Sequence, residues 1–575
     1  MELSEISTKD GEVIKVGKFT LLVGPNNVGK SQTLKDIHRK LLKGHKAETT
    51  LIDSIKIDRP ETFEKLYEGL DIRVDPMNIG YHIIDSVTSD FEQANQDSMI
   101  RVQLEPHKLQ FEHSSDLDYT YLGISKFRVF YMDSESRLRI ASKSANYIPQ
   151  ETSPKNLLQA LYGSSGEFDE KLKAAFQSTF GMDIRLDYSS GLELRLAISK
   201  EFEQIPEDPR TAYPIMKQYP SIEHQGDGFR SFVAVVLSLL LSKDKVVLLD
   251  EPEAFLHPEQ ARRLGKWISD HVHDFPCQLL VATHNSNFLS GLLSGSQPAD
   301  IYRLNRLNDV TTFNKITARA TQALSKSPIL SSQRVLEGIF SKGVVVCESD
   351  TDRIIYNSVA IHEHGNQEIL FIHAHNKQTI KDVVKLLKEA SIPTVAVIDI
   401  DILNSKADLT KAIEAFDSEF DKTEILELRE KLATHVESKS EDELLEDLKA
   451  SVVELLSQLE QKEHSLSGAK GALNRIRSDS TKWSQMKKLG VFSLEEPFRR
   501  NVETIIEKCK SLGLFIVPVG ELEGWIDLQV RKNKWALPAL EKISANECPK
   551  NLADFVEQLI CSVYGEHSSI QTVQE

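Results

Sequence analysis

Cysteine is scarce and unpaired in this sequence. The five thiols, Cys277, Cys347, Cys509, Cys548 and Cys561, include no CxxC pair. That spacing argues against a zinc ribbon or a disulfide framework, and the expected compartment is reducing cytoplasm. Long apolar runs are missing too. The N-terminal MELSEISTKDGEVIKVGKF has neither the basic segment nor the apolar core of a signal peptide. No stretch reaches the roughly 20 apolar residues of a membrane span, so no membrane partner is expected. The third shortage is of positive charge: 69 Lys and Arg face 86 Asp and Glu, a formal net charge of -17. Nucleic-acid binders more often carry a basic balance. The acid is unevenly spread, however, since residues 421–460 alone hold 12 Asp or Glu against 5 Lys or Arg. Metal-dependent nuclease sites are themselves acidic, so charge leaves a DNA partner open.

What is present is ordinary globular material: 575 residues, 40% hydrophobic and 27% charged, enough for several domains with large cores. The apolar run FTLLV (19–23) leads into a Gly-rich turn and then SQTLKDIHRKLL, which reads as strand, loop and helix. From about 98 to 200 the texture changes to alternation, as in Leu192, Leu194, Leu196 and Ile198 after the turn Ser189-Ser190-Gly191, and predicts an antiparallel β region. Parallel-strand texture returns at VVLLD (246–250) and QLLVATH (278–284), and a first domain is expected over residues 1–335. A second α/β domain, 336–575, opens with GVVVCES and continues with PTVAVIDID and LFIVPVGELEG. It is interrupted at about 404–480 by a Glu/Lys/Leu-rich stretch that reads as a helical insertion.

Gly24-Pro25-Asn26-Asn27-Val28-Gly29-Lys30-Ser31 matches GxxxxGK[ST] between a strand and a helix. In such a loop, backbone N–H groups around Asn27 and Gly29 cradle phosphate. Lys30 reaches the β- and γ-phosphates of ATP, and the Ser31 hydroxyl helps hold Mg2+. VVLLDEPE sets Asp250 and Glu251 at a strand end, where Asp250 suits Mg2+ and Glu251 suits an attacking water. Phe255-Leu256-His257-Pro258 and Thr283-His284 follow in the order of an ABC-type D-loop and switch histidine, which assigns His284 to the γ-phosphate. The signature-loop candidate is His224-Gln225-Gly226-Asp227-Gly228-Phe229-Arg230, with Gly226 and Gly228 as nucleotide contacts made across a dimer. It departs from LSGGQ, and a glycine turn capping the next helix is the plain alternative. The wording GPNNVGKS resembles DNA-processing ABC ATPases of the structural-maintenance and RecF kind.

In the second domain each apolar strand ends in acids: Glu348, Asp350 and Asp352; then Asp399 and Asp401; then Glu521 and Glu523. Parallel strands deliver these ends to one sheet edge, and converging carboxylates call for Mg2+ or Mn2+ among them. An acid followed later by DxD resembles the Toprim pattern, although Ser349 stands where glycine is usual. A topoisomerase needs a tyrosine in a separate domain, for which no room is expected after residue 525, and a primase needs zinc-binding cysteines. The whole order resembles the overcoming-lysogenisation-defect (OLD) nuclease family, with relatives in Gabija-type and retron-associated phage defence. The resemblance implies an α/β protein: an ABC-type ATPase head with an inserted antiparallel region, then a Toprim domain with a helical insertion. It further implies a DNA endonuclease using ATP and Mg2+ or Mn2+, with Glu348, Asp399, Asp401 and Glu523 (or Glu521) on metal and Asp352 beside them. A downstream lysine, Lys534 or Lys532, assists the phosphate, although a solvated basic turn reads RKNK equally well. His373 and His375 are read as structural or substrate-facing, not as ligands. Implied partners are DNA, a homodimer or higher homo-oligomer, and a companion defence protein such as a helicase or a reverse transcriptase with its DNA/RNA. The competing reading is a DNA-binding ATPase scaffold without nuclease activity.

Overall fold

The computed structural model describes residues 1–87, 99–113, 123–164, 166–326, 333–374, 377–437, 483–528, 530 and 534–564, with single positions between 449 and 459. The chain divides into two compact units, Met1–Phe340 and Ser341–Glu575. His375, Lys532 and much of the expected insertion after residue 437 lie outside the described residues.

The first unit is built on a six-stranded sheet. Its strands are β1 (Phe19–Val23), β2 (Val129–Met132), β3 (Val246–Asp250), β4 (Gln278–Ala282), β5 (Asp300–Leu307) and β6 (Val310–Lys315), in the spatial order β6-β5-β1-β4-β3-β2. All pairings are parallel except the β5–β6 hairpin. Every residue of β1, β3 and β4 is buried, because layers cover both faces of a parallel sheet. That is why these strands read as unbroken apolar runs. Helix α1 (Lys30–Lys43) follows β1, α2 (Asp227–Leu241) precedes β3, and α3 (Pro258–His271) and α4 (Ser286–Ser294) follow β3 and β4.

Three small antiparallel sheets accompany this core, and one pairs Asp183–Asp187 with Glu193–Ser199. Leu194, Leu196 and Ile198 are fully buried, whereas Leu192 is exposed in the turn. The stretch read as β from 98 to 200 also contains strand β2 of the main sheet and the helices Ser134–Ile140, Leu157–Gly163 and Glu167–Phe180. In the last of these Leu172, Ala175, Phe176 and Thr179 are buried at helical spacing, a period of three to four that the neighbouring alternation obscures.

The second unit holds a four-stranded, all-parallel sheet: β7 (Gly343–Cys347), β8 (Ile369–His373), β9 (Thr394–Ile398) and β10 (Leu514–Ile516), ordered β8-β7-β9-β10. Helices α5 (Asp350–His364) and α6 (Lys377–Glu389) make the crossovers. After β9 come α7 (Lys406–Phe416) and α8 (Thr423–Glu437), and the chain returns through α9 (Ser484–Leu489) and α10 (Phe498–Ser511) to β10. No described helix is long and apolar enough to cross a membrane.

At the start of β3 the first unit buries a lysine. Lys245 Nζ donates to the carbonyls of Val87 (2.8 Å) and Phe127 (2.7 Å) and lies 4.4 Å from the Phe130 ring centroid. Burial, with Arg128 nearby, pushes its pKa down to about 7. Between pH 7 and the unfolded-state value near 10.4 the unfolded chain binds the extra proton, so stability rises with pH in that window, by up to about 1.4 kcal/mol per pH unit. Lys245→Met removes this term. Chemical denaturation at pH 7 and pH 9 is expected to show the wild type gaining on the variant; parallel curves would refute the assignment.

Candidate functional site

In the first unit, β4 lies between β1 and β3, so the turns after these three strands share one edge. The P-loop after β1 bends through positive φ at Asn27 (62°) and Gly29 (100°) and feeds α1. Lys30 is folded over this loop, donating to the carbonyls of Gly24 (2.8 Å) and Pro25 (2.6 Å). Burial pulls its pKa down to about 8 against the opposing fields of Glu251, Asp250 and Glu253. Ser31 Oγ donates to Asp250 Oδ1 at 2.8 Å. A hydroxyl and a carboxylate facing each other at the foot of a P-loop are the donor set that a nucleotide-bound Mg2+ needs.

Glu251 follows at φ 50°, its N–H bonded to the Ala282 carbonyl at 2.8 Å. Its Oε1 lies 2.7 Å from His284 Nδ1. This hydrogen bond holds the Glu251 carboxyl below its ordinary range and raises the His284 pKa. The structure thus brings Lys30, Ser31, Asp250, Glu251 and His284 to one edge. The residues that hold them there carry no sequence pattern of their own. Arg137 is fully buried and donates to the carbonyls of Asp250 (2.7 Å), Glu251 (2.7 Å) and Met132 (3.2 Å), and to Ser231 Oγ (3.0 Å) on α2. Glu253 accepts from Thr283 Oγ1 at 2.6 Å, and burial raises its carboxyl to about 7. Arg137 has no motif around it; Glu253 belongs to the DEPE run and was open to notice.

The signature candidate begins α2, with Gly226 as its N-cap. Gly228 is packed on the D-loop: a Cβ there would fall 2.8 Å from the carbonyl oxygen of Phe255, itself at φ 70°. Around Gly226 there is open space.

In the second unit, adjacent strands β7, β9 and β10 end in the predicted acids. Asp399 is half-buried at the end of β9. Burial first, then the charges of Glu348, Asp352, Asp401 and Glu521, lift its pKa to about 8. Four carboxyls thus act on Asp399, with Glu521 of the two late acids among them; Glu523 sits half-buried in the following turn, Leu522–Trp525. Ser349 caps α5, accepting from Asp352 N (3.3 Å) while Asp352 Oδ2 accepts from Ser349 N (2.9 Å). The serine in place of glycine is a capping residue, and Asp352 is half engaged in the reciprocal bond. Asp350 pairs with Arg353 (2.7 Å) and His373 (3.2 Å).

Among the described residues, no three or more His, Cys, Asp or Glu side chains form a ready-made metal shell. The donor set is nevertheless all oxygen, convergent and mutually repelling, which suits a hard divalent cation. The cation the structure does place there is Lys487 on α9, whose Nζ lies 2.9 Å from Asp401 Oδ2. The lysine expected at the acids, Lys534, is exposed before the helix Ala536–Ser544. Lys487 was not foreseen, because KKLG reads as an ordinary helix end with basic residues before a glycine cap.

Comparison with known proteins gives two family matches. Residues 152–290 match "AAA domain, putative AbiEii toxin, Type IV TA system", and residues 339–401 match "Overcoming lysogenization defect protein-like, TOPRIM domain". The first match spans Asp250, Glu251 and His284 but not the P-loop, which the Ser31–Asp250 contact joins to it. Among solved structures, an SMC head bound to the C-winged helix domain of ScpA is 14% identical, covering 55% of this chain and 98% of its own, with TM-score 0.33. The SMC head domain from Thermotoga maritima is 14% identical, covering 55% and 100%, with TM-score 0.29. Both scores are too low to support an argument. No curated protein matches the chain. By its two family matches, this chain is an AAA-type ATPase domain followed by an OLD-like TOPRIM domain, the order of the overcoming-lysogenization-defect family.

Proposed function

We propose that the chain is a divalent-metal-dependent DNA endonuclease whose ATPase head regulates cleavage, acting in antiphage defence as its family resemblance implies. The observation that carries this reading is Asp399, a carboxyl lifted to about 8 by burial and by four neighbouring acids. Such a cluster is costly for a fold and is what a phosphoryl-transfer centre requires. Glu348, Asp399, Asp401 and Glu521 or Glu523 are the residues to hold Mg2+ or Mn2+. The bound cation supplies charge neutralisation and water activation at a scissile phosphate.

In the head, Lys30 would hold the β- and γ-phosphates of ATP in place of its present carbonyl partners, and Ser31 with Asp250 would hold Mg2+. Glu251, kept ionised by His284, orients and deprotonates the attacking water. The segment around Gly226 and Gly228 completes the nucleotide site of a second copy. Two observations favour this: Gly226 faces open space, and Gly228 is pressed on the D-loop.

Supercoiled plasmid incubated with the full chain and Mg2+ or Mn2+ is expected to be nicked or linearised. Asp399→Asn should lower that rate by more than about a hundredfold, whereas Lys30→Ala should abolish nucleotide binding and leave metal-dependent nicking in place. Equal cutting by wild type and Asp399→Asn would sink the nuclease reading and leave a DNA-binding ATPase scaffold. For the head, Gly228→Ala should lower both thermal stability and ATP hydrolysis. Gly226→Ala should melt like wild type yet lose ATP-dependent assembly; normal assembly and hydrolysis in that variant would remove its role across the dimer.

A further inference from the structure

The acid cluster of the second unit contains a built-in cation, carried on a helix that is closely docked. Lys487 Nζ is 2.9 Å from Asp401 Oδ2, and the Asp401 side chain is only 13% exposed. Burial lowers the Lys487 pKa, yet the hydrogen bond to Asp401 and the charges of Asp401, Glu521 and Asp399 outweigh it and leave the pKa raised. Its one direct carboxylate contact is Asp401, and the fields of Glu521 and Asp399 also favour its charged form.

Its helix is docked on the loop that carries Glu521. A Cβ on Gly520 would fall 2.2 Å from the Lys487 carbonyl oxygen, and one on Gly490 would fall 2.0 Å from the Pro518 carbonyl oxygen. Val491 N donates to that same Pro518 carbonyl at 2.9 Å, and Ile400 N, between Asp399 and Asp401, donates to the Gly520 carbonyl at 3.1 Å. Two glycines thus let backbone touch backbone where Lys487, Glu521 and the DxD turn meet.

We propose that Lys487 fills one cation position of this cluster, so that the Toprim domain takes a single tight divalent ion on the Glu348–Asp399 side in place of a pair. The inference rests on reading the cluster as a metal centre. Paired ions in two-metal sites lie about 3.5–4 Å apart and share carboxylates. An ammonium hydrogen-bonded to Asp401 and drawn by Glu521 stands where the second ion would take its oxygens. It is monovalent and tethered, so it offsets the carboxylate repulsion and repels a second divalent ion from the same oxygens.

The test is Mn2+ binding to the full-length, nucleotide-free protein in an Asp250→Asn background, which removes the head's own cation site. Equilibrium dialysis gives the stoichiometry, and electron paramagnetic resonance reports spin coupling between neighbouring ions. With Lys487 intact, one tight Mn2+ per chain and no coupled pair are expected. Lys487→Met should bind a second ion and show the coupled spectrum, and Lys487→Arg should still bind one. Circular dichroism melting checks that Lys487→Met is folded; if it is not, the wild-type and Lys487→Arg counts decide. Two coupled ions in the wild type, or one ion in a folded Lys487→Met, overturns this inference alone. Failure of wild type and variants alike to bind any Mn2+ overturns the metal-centre reading with it.

Discussion

Like charges gathered at the ends of parallel strands are the constraint on which both units of this protein are arranged. A parallel sheet sends every strand's last residue to the same edge, and here those residues are Asp250 and Glu251 in one unit and Glu348, Asp399 and Asp401 in the other. Repulsion at such an edge needs a cation or a set of donors close by. The head meets it with Lys30 above the acids and with Arg137 below them, whose guanidinium takes the carbonyls of Asp250 and Glu251 together. The second unit meets it with Lys487.

The two solutions differ in kind. Arg137 binds backbone oxygens and leaves the carboxylates of Asp250 and Glu251 to other partners, Ser31 and His284. Lys487 binds a carboxylate directly and so competes for the group it neutralises. A guanidinium buried among carbonyls acts as scaffold, whereas an ammonium, compact and on a flexible stem, acts as an occupant.

The fold class and strand ends were legible in the sequence because buried parallel strands write themselves as apolar runs ending in functional residues. GxxxxGK[ST], VVLLDE and VAVIDID each combine a period with a chemistry. The alternation of Leu194, Leu196 and Ile198 was equally readable, but the helix Glu167–Phe180 beside it was not separated from it. The supporting residues were illegible for a different reason. Arg137 and Lys487 act over long sequence separations, 113 residues from Arg137 to Asp250 and 86 from Lys487 to Asp401. Their flanks look like common helix surface and helix end, and only the folded chain brings them to the acids. Glu521 and Glu523 stand two residues apart in one turn, and sequence spacing does not separate them.

The docking of α9 on the Glu521 loop bears on how this domain can vary. The chain leaves the sheet after Asp401, where Arg429 of α8 donates to the carbonyls of Leu403 (2.9 Å) and Asn404 (2.7 Å). It re-enters at α9, fixed by the Gly490 and Gly520 contacts. With both ends of the excursion clamped independently, the length of what lies between is mechanically uncoupled from the acids. The entropic cost of a longer excursion grows only logarithmically. An insertion or deletion between the two clamps is therefore expected to leave the DxD turn and the Glu521 loop in register with each other.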